Sequence, residues 1–417
     1  MTRVKLGHIA SLSRRSGASR PATKKCAKAL AFIGICALLV VASRAEAYPF
    51  MIRHGYTGCA PCHHDPSGEG LLTEYGRAAS VLYLSTRYGG SVDEEPTRVK
   101  DFLFGIVPTP KWLALGGWIR DGYLVATSGG DVVDDRLLQM RADLAAEASV
   151  KAFRAYASLG YASHASAALS QKAWVTHSTT GPNLVAREYW IGVQWSEDAM
   201  LLRAGRINLP FGLRNVEHPT WVRNATRTDI NQDQQHGVAF AYGRDPYRFE
   251  AMAILGNYQI NPDRFRERGY AAFIERAWGK HFAAGISSKI THAAQDIASN
   301  VGATLQAHGL FARYAPARPL VVMAEADLLI RSPSGAGTDT GGTGLAVVDL
   351  EPLQGLHFDL AGETLFPSAF GTQGTLGAWA SVWWFFFPHF DVRVDAVLRG
   401  GEAVTTVTYL GQVHAYL

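Results

Sequence analysis

The sequence predicts an all-β protein: an antiparallel transmembrane β-barrel that follows a small N-terminal segment. Three observations support this fold class. From about residue 108 onward, apolar and polar residues alternate, several alternating runs reach ten residues or more, and the polar face carries full charges in mid-run. Runs of this length can cross a bilayer as tilted strands, whereas strands of soluble sandwiches usually have about five or six residues. At roughly twenty residues per strand and connection, 108–417 would hold 14 to 16 strands.

The run 320–331 illustrates the pattern. Its even-numbered residues are apolar from Leu320 to Ile330, and the opposite face carries Glu325, Asp327 and Arg331. A period of two indicates strand and not helix. A packed core cannot hold unpaired charges, but the wet lumen of a barrel can. Similar runs are 138–148, 153–161, 189–195, 247–255, 390–398 and 405–417.

Connections and aromatic residues extend the barrel prediction. Short turns are expected near 243–246 and 279–280, and longer loops at about 164–184, 208–235 and 332–343. Short turns at one end and long loops at the other are typical of outer-membrane barrels, as are aromatic girdles at the two interfaces. The expected girdle residues are Tyr189, Trp195, Trp379, Trp383, Phe385 and Phe387. A large soluble β protein is the alternative interpretation.

The first 47 residues are typical of a secretory signal peptide. A basic stretch precedes an apolar run over 29–42, and Ala45-Glu46-Ala47 offers a cleavage site that would leave 48–417. An uncleaved N-terminal anchor is the alternative. Residues 1–47 hold nine basic residues and one acidic residue, so the remaining chain has 31 basic and 35 acidic residues. The positive charge therefore belongs to the signal and gives no argument for nucleic-acid binding.

The two cysteines that remain after such cleavage form one motif. Residues 59–63 read Cys-Ala-Pro-Cys-His, the pattern of c-type haem attachment. The thiols of Cys59 and Cys62 would form thioethers with the haem vinyl groups, and His63 would be the proximal ligand of the iron. Flanking Gly and Pro residues indicate a loop, which argues against a thioredoxin-type disulfide, and no second ligand pair follows that would complete a zinc site. The sequence therefore predicts one covalently bound haem c.

The sixth ligand of the iron is left open at this point. His54 is the favoured candidate and Met51 the alternative, because a loop just upstream of the motif could return over the distal face. A ligand from the rest of the chain, or none, is a further alternative. The segment 48–107 is too small to bury a haem alone. We therefore expect it to borrow a core from the barrel, plugging the lumen or its periplasmic mouth.

The combination of motif and barrel resembles the fused outer-membrane cytochrome–porin proteins of iron-oxidising bacteria. The matching residues fall within about 50–77 and are Arg53, the 59–63 motif and Leu72-Thr73-x-Tyr75-Gly76-Arg77. The resemblance implies electron transfer across the outer membrane of a Gram-negative bacterium, with Fe(II) as a candidate donor. Among the matching residues, Arg53 and Arg77 are candidates for contacts with the haem propionates.

Three functions remain as hypotheses. The main one is a redox conduit that joins an extracellular electron donor or acceptor, such as iron, to a periplasmic c-type cytochrome or another redox carrier. The second is a porin or transporter in outer-membrane lipid whose haem segment is a structural plug or redox sensor. The third is a haem enzyme such as a peroxidase, for which there are only isolated His and Arg residues. A set of arginines could meet the haem propionates or simply form a hydrated lumen wall: Arg203, Arg206, Arg214, Arg223 and Arg227.

Overall fold

A computed structural model describes residues 48–88, 102–163, 172–214, 219–366, 375–400 and 405–417. The predicted signal peptide therefore lies outside the described residues. Within the described ranges, no helix combines the length and the hydropathy needed to cross a membrane.

The fold is all-β, as the alternation predicts. The strands, in chain order, are β1 Leu113–Ser128, β2 Asp131–Val150, β3 Phe153–Ala162, β4 Asn183–Val185, β5 Tyr189–Trp195, β6 Met200–Ile207, β7 Gln235–Arg244, β8 Tyr247–Gly256, β9 Arg268–Trp278, β10 Phe282–Ala293, β11 Ala303–Ala317, β12 Leu320–Pro333, β13 Asp339–Leu353, β14 Leu356–Leu365, β15 Thr375–Phe387, β16 Phe390–Gly400 and β17 Thr405–Tyr416. The helical elements are α1 Glu74–Ala79, α2 Trp221–Thr226, the 3-10 helices Pro49–His54, Phe102–Gly105 and Asp263–Phe265, and a π-helical turn Ser80–Leu84.

The sheet closes on itself into a barrel. Each long strand pairs antiparallel with the next, and β17 pairs with β1. The three-residue strand β4 pairs with the end of β3 in almost the same register as β5, which pairs with the start of β3, so β4 and β5 together occupy one place in the ring. The ring built from the described residues thus has sixteen strands, at the upper end of the predicted range.

Strand β12 shows why this sequence forms a barrel wall. Glu325 and Asp327 are buried on the lumen face, and Val322 and Leu328 are exposed on the outer face. Successive side chains of a strand point to opposite faces, so the apolar set forms a continuous outer surface. That arrangement is typical of transmembrane barrels.

The girdle prediction is wrong for three of its six residues. Trp379, Trp383 and Phe385 are buried on the lumen side of β15, because the residues of the other parity, such as Leu376, Val382 and Trp384, face outward. The indole N–H of Trp383 donates to Asp391 Oδ1 (2.8 Å), a polar partner that a girdle position would not provide. Trp195 and Phe387 are exposed, and Tyr189 is half-buried.

The two ends of the barrel differ. At the end of the barrel where β1 begins and β17 finishes, the strands are joined by turns of two to four residues. These turns join β2 to β3, β5 to β6, β7 to β8, β9 to β10, β11 to β12, β13 to β14 and β15 to β16. The other end carries the longer connections. The predicted loop at 332–343 is mostly strand, since β12 extends to Pro333 and β13 starts at Asp339. Residues 208–214 and 219–234 include many buried side chains, and the guanidinium of Arg223 in α2 pairs with Glu325 of β12.

Candidate functional site

Residues 59–73 form a compact closed loop. The backbone N–H groups of Cys62 and His63 both donate to the carbonyl of Cys59, at 3.1 and 3.0 Å. The loop returns on itself through bonds from His64 N to Leu71 O and from Thr73 N to Cys62 O, each 3.0 Å. The motif therefore has a defined backbone of its own, although it contains no regular strand or helix.

Helix α1 packs directly on the motif. The Thr73 side chain caps the helix by accepting a hydrogen bond from Gly76 N (2.9 Å), and its hydroxyl donates to Pro61 O (2.8 Å). A Cβ atom at Gly76 would lie 2.1 Å from the carbonyl oxygen of Cys62. Only glycine permits this approach. The cap and the close contact give physical reasons for Thr73 and Gly76 in the stretch 72–77 that follows the cysteines.

The N-terminal segment (residues 48–107, described at 48–88 and 102–107) contacts inward-facing side chains on opposite sides of the ring. Residues 48–88 therefore contact several strands of the barrel wall. The ion pairs that join it to the wall, with their N–O distances, are Arg53–Glu351 (2.9 Å), His64–Glu147 (3.0 Å), Asp65–Arg203 (2.8 Å) and Glu69–Arg141 (2.9 Å). Burial alone would raise the pKa of Asp65, but the charges of Arg203 and Arg214 and the hydrogen bonds from Ser67 and Arg203 together hold the pKa of that carboxyl below its usual value.

The three residues of the predicted haem motif line one cavity in the lumen. Cys59, Cys62 and His63 face a space of about 490 Å³, a size that suits a cofactor. Its apolar and aromatic lining includes Trp118, Leu124, Met140, Leu410 and Tyr416. Its cationic lining consists of Arg120, Arg141, Arg187, Arg214 and Arg313. A largely apolar space with two thiols, two imidazoles and several guanidinium groups fits the chemistry of a haem c with its propionates.

Arg214 is the cation best suited to hold an anionic group in this cavity. The buried Nε and Nη1 atoms of its guanidinium find no acceptor among the described residues. In contrast, Arg141 and Arg187 are paired with Asp143, and Arg313 with Glu275. Buried donors are normally satisfied, so Arg214 has hydrogen-bonding capacity to offer a ligand.

Three of the predicted site residues lie elsewhere. The Nε2 atom of His54 is 3.9 Å from Glu351, on the β13 side of the lumen, and its ring does not line the cavity. Burial and the neighbouring Arg53 lower the pKa of His54 to about 2, so its imidazole is neutral. Arg53 is engaged by Asp349 and Glu351, and the Arg77 guanidinium donates to Leu115 O of β1. These two arginines fix the segment to the wall, and other arginines line the cavity.

Met51 and His414 complete the cavity wall near the motif. Met51, the alternative distal candidate, lines the cavity and is almost fully buried. His414 also lines it, from the last strand of the barrel. The alternation of 405–417 predicts an outward apolar face, and His414 belongs to the opposite face. No sequence pattern around His414 indicates that it lies near residues 59–63.

The motif lies between two cavities. The first extends along β1 and β2 to residues of the long connections, among them Trp174 and 230–232. The second, about 650 Å³, is lined by Pro61, His63 and His64, and by Asp198 and Ala199 of a short turn. His63 contributes to both linings, so cavities run from the motif toward each end of the barrel.

Comparison with known proteins supports the fold. No protein-family model matches the chain, and no curated protein matches its sequence. The solved structures that it resembles include OmpT of Vibrio cholerae (9% identity, 75% of this chain and 100% of that one, TM-score 0.57). They also include the anion-selective porin from Comamonas acidovorans (8% identity, 73% of this chain and 99% of that one, TM-score 0.55). A third is the outer membrane channel DcaP of Acinetobacter baumannii (13% identity, 73% of this chain and 97% of that one, TM-score 0.51). At such identities the likeness establishes the porin-like barrel fold alone.

Proposed function

We propose that this chain is an outer-membrane barrel that carries one covalent haem c in its lumen and conducts electrons across the membrane. The observation that carries the proposal is the convergence of Cys59, Cys62 and His63 on one largely apolar cavity inside the ring. The apolar outer face of the strands fits outer-membrane lipid, and the short turns would face the periplasm, as is usual for such barrels.

Each residue of the site has a defined task. The thiols of Cys59 and Cys62 would hold the haem through thioether bonds to its vinyl groups, and the imidazole of His63 would bind the iron. Arg248 Nη1 lies 3.2 Å from Cys59 Sγ and holds that side chain against the wall. Arg214 and Arg120 are suited to the propionates because both line the cavity. When bound, the haem supplies an iron that alternates between the ferric and ferrous states.

The two cavities support a conduit over a simple plug. The cavity on the short-turn side would give a periplasmic c-type cytochrome or another redox carrier access to the motif. The cavity toward the long connections would serve an extracellular donor or acceptor, with Fe(II) as the candidate donor. A plug without a redox role would need neither approach.

The test is haem detection in the full-length protein from the outer-membrane fraction. After denaturing electrophoresis, wild type should retain haem peroxidase staining, and the Cys59→Ala/Cys62→Ala variant should lose it while its barrel stays heat-modifiable. Equal staining of the double variant, or its absence from wild type produced with the haem-attachment machinery, would refute the haem site. A haem-free wild type in the same fraction would favour the porin or transporter alternative.

To test conduction, the protein is inserted in vesicles that contain a reducible dye, and Fe(II) is added outside. Wild type should reduce the dye, and the double variant should not. Equal rates for the two proteins would overturn the conduit.

A further inference from the structure

We infer that His414, on β17, would supply the second protein ligand of the haem iron, in addition to His63. This inference rests on the proposed haem site and adds to it a residue from the far end of the chain. The imidazole of His414 is 7% exposed and lines the cavity that Cys59, Cys62 and His63 also line.

The ring of His414 is oriented by a carboxylate. Its Nδ1 atom lies 2.9 Å from Asp391 Oδ2, and the other oxygen of Asp391 accepts the indole N–H of Trp383 at 2.8 Å. A carboxylate at Nδ1 fixes the proton on that nitrogen and leaves the lone pair on Nε2. Metal-binding histidines usually have such a partner on the nitrogen that does not bind the metal.

Strand register keeps this arrangement on the lumen side. His414 lies opposite Arg120 of β1 and opposite Asp391 of β16. Directly opposed residues of antiparallel strands point to the same face, so the cation, the imidazole and the carboxylate form one row facing the cavity. The imidazole is therefore presented by a rigid wall and not by a loop.

The other candidates fit less well. His54 faces Glu351 outside the cavity lining. Met51 lines the cavity, but it packs in an apolar cluster with Phe50, Ile52 and residues of the barrel wall, and nothing orients its thioether toward the motif. His357 provides a matched comparison, because its Nδ1 is also 2.9 Å from a carboxylate, Asp349, yet it lies outside the cavity lining.

Absorption spectra of the purified holoprotein test the assignment. Wild type should be six-coordinate and low-spin in both oxidation states and should bind carbon monoxide slowly. His414→Ala should become high-spin and bind carbon monoxide at least tenfold faster, and added imidazole should restore the low-spin spectrum. His357→Ala, the matched control, should keep the wild-type spectrum, as should Met51→Leu.

A low-spin His414→Ala protein without added imidazole would overturn the inference, as would a high-spin Met51→Leu protein. If His414→Ala does not assemble, His414→Met decides: a Met ligand should keep the iron low-spin and raise the midpoint potential. A potential unchanged in that variant would also refute the assignment. If the His414→Ala protein keeps both its haem stain and the wild-type spectrum, His414 is not the ligand but the haem site stands. If the wild-type protein carries no haem stain, both the ligand assignment and the haem site are refuted.

Discussion

The barrel wall and the N-terminal segment lie against each other, but different interactions hold them in place. Every long strand of the wall shares an antiparallel backbone ladder with two neighbours, and its side chains need only alternate in polarity. The segment joins the wall through individual ion pairs such as Asp65–Arg203 and Glu69–Arg141. The wall therefore tolerates many sequences of the right period, and the segment requires particular partners.

The largest expected effect tests the segment. Arg203 pairs with Asp65 at 2.8 Å and with Glu250 at 2.6 Å, and all three are buried. Arg203→Leu leaves two carboxylates without their cation, which should weaken docking of the segment by about 3–5 kcal/mol. Limited proteolysis should then cut within 48–88, while the barrel keeps its heat-modifiable mobility.

The matched control for this change is Arg244→Leu. Arg244 pairs with Glu197, but both side chains are mostly exposed, so the loss should be about 0–1 kcal/mol. Equal protection of the segment in the Arg203 and Arg244 variants would mean that ion pairs do not hold it.

A somewhat smaller effect is expected at the outer face of the wall. Leu310, in the middle of β11, is 64% exposed on that face. Leu310→Arg puts a charge in the hydrocarbon layer and should destabilise the barrel by about 2–4 kcal/mol. Urea unfolding in lipid vesicles measures this change. Leu310→Ala is the control and should cost clearly less, whereas equal losses for the two variants would argue against a lipid-facing position.

The smallest expected effect concerns the contact between α1 and the motif. Gly76→Ala would force its Cβ into the Cys62 carbonyl, and overpacking of this kind costs about 1–3 kcal/mol. The segment should be cut faster by protease and should carry less haem stain. Gly362→Ala, where a Cβ meets nothing within 4 Å, should match wild type in both assays. An unaffected Gly76 variant would show that the helix can move away from the motif.

Prediction from the sequence succeeded where residues adjacent in the chain decide which face of a strand a side chain occupies. Glu325 and Asp327 face the lumen because alternation in β12 leaves them no other face. The assignment of haem attachment to Cys59, Cys62 and His63 also uses only five adjacent residues, and it stays a prediction. The lumen position of Trp383 was missed because aromatic content alone does not give the parity of a strand.

The remainder of the site depends on contacts between distant residues. His414 meets the cavity of His63 only because β17 closes onto β1, and no pattern near either histidine contains that information. Arg53 was proposed for the propionates because it is among the residues that match the cytochrome–porin family, but its partners Asp349 and Glu351 lie on β13. A short motif does not give the partners of a residue whose charge is paired with a distant strand.

Closure of the ring by its first and last strands also has a consequence for the order of assembly. Trp118 lies opposite Tyr416, partners roughly 300 residues apart, and contacts of such separation form late because a long chain must first be brought together. During that delay the segment before β1 is next to an unclosed sheet, where enzymes can still reach Cys59 and Cys62. Attachment of the proposed haem would therefore have to precede docking of the final strand, because ring closure would limit access to the two cysteines.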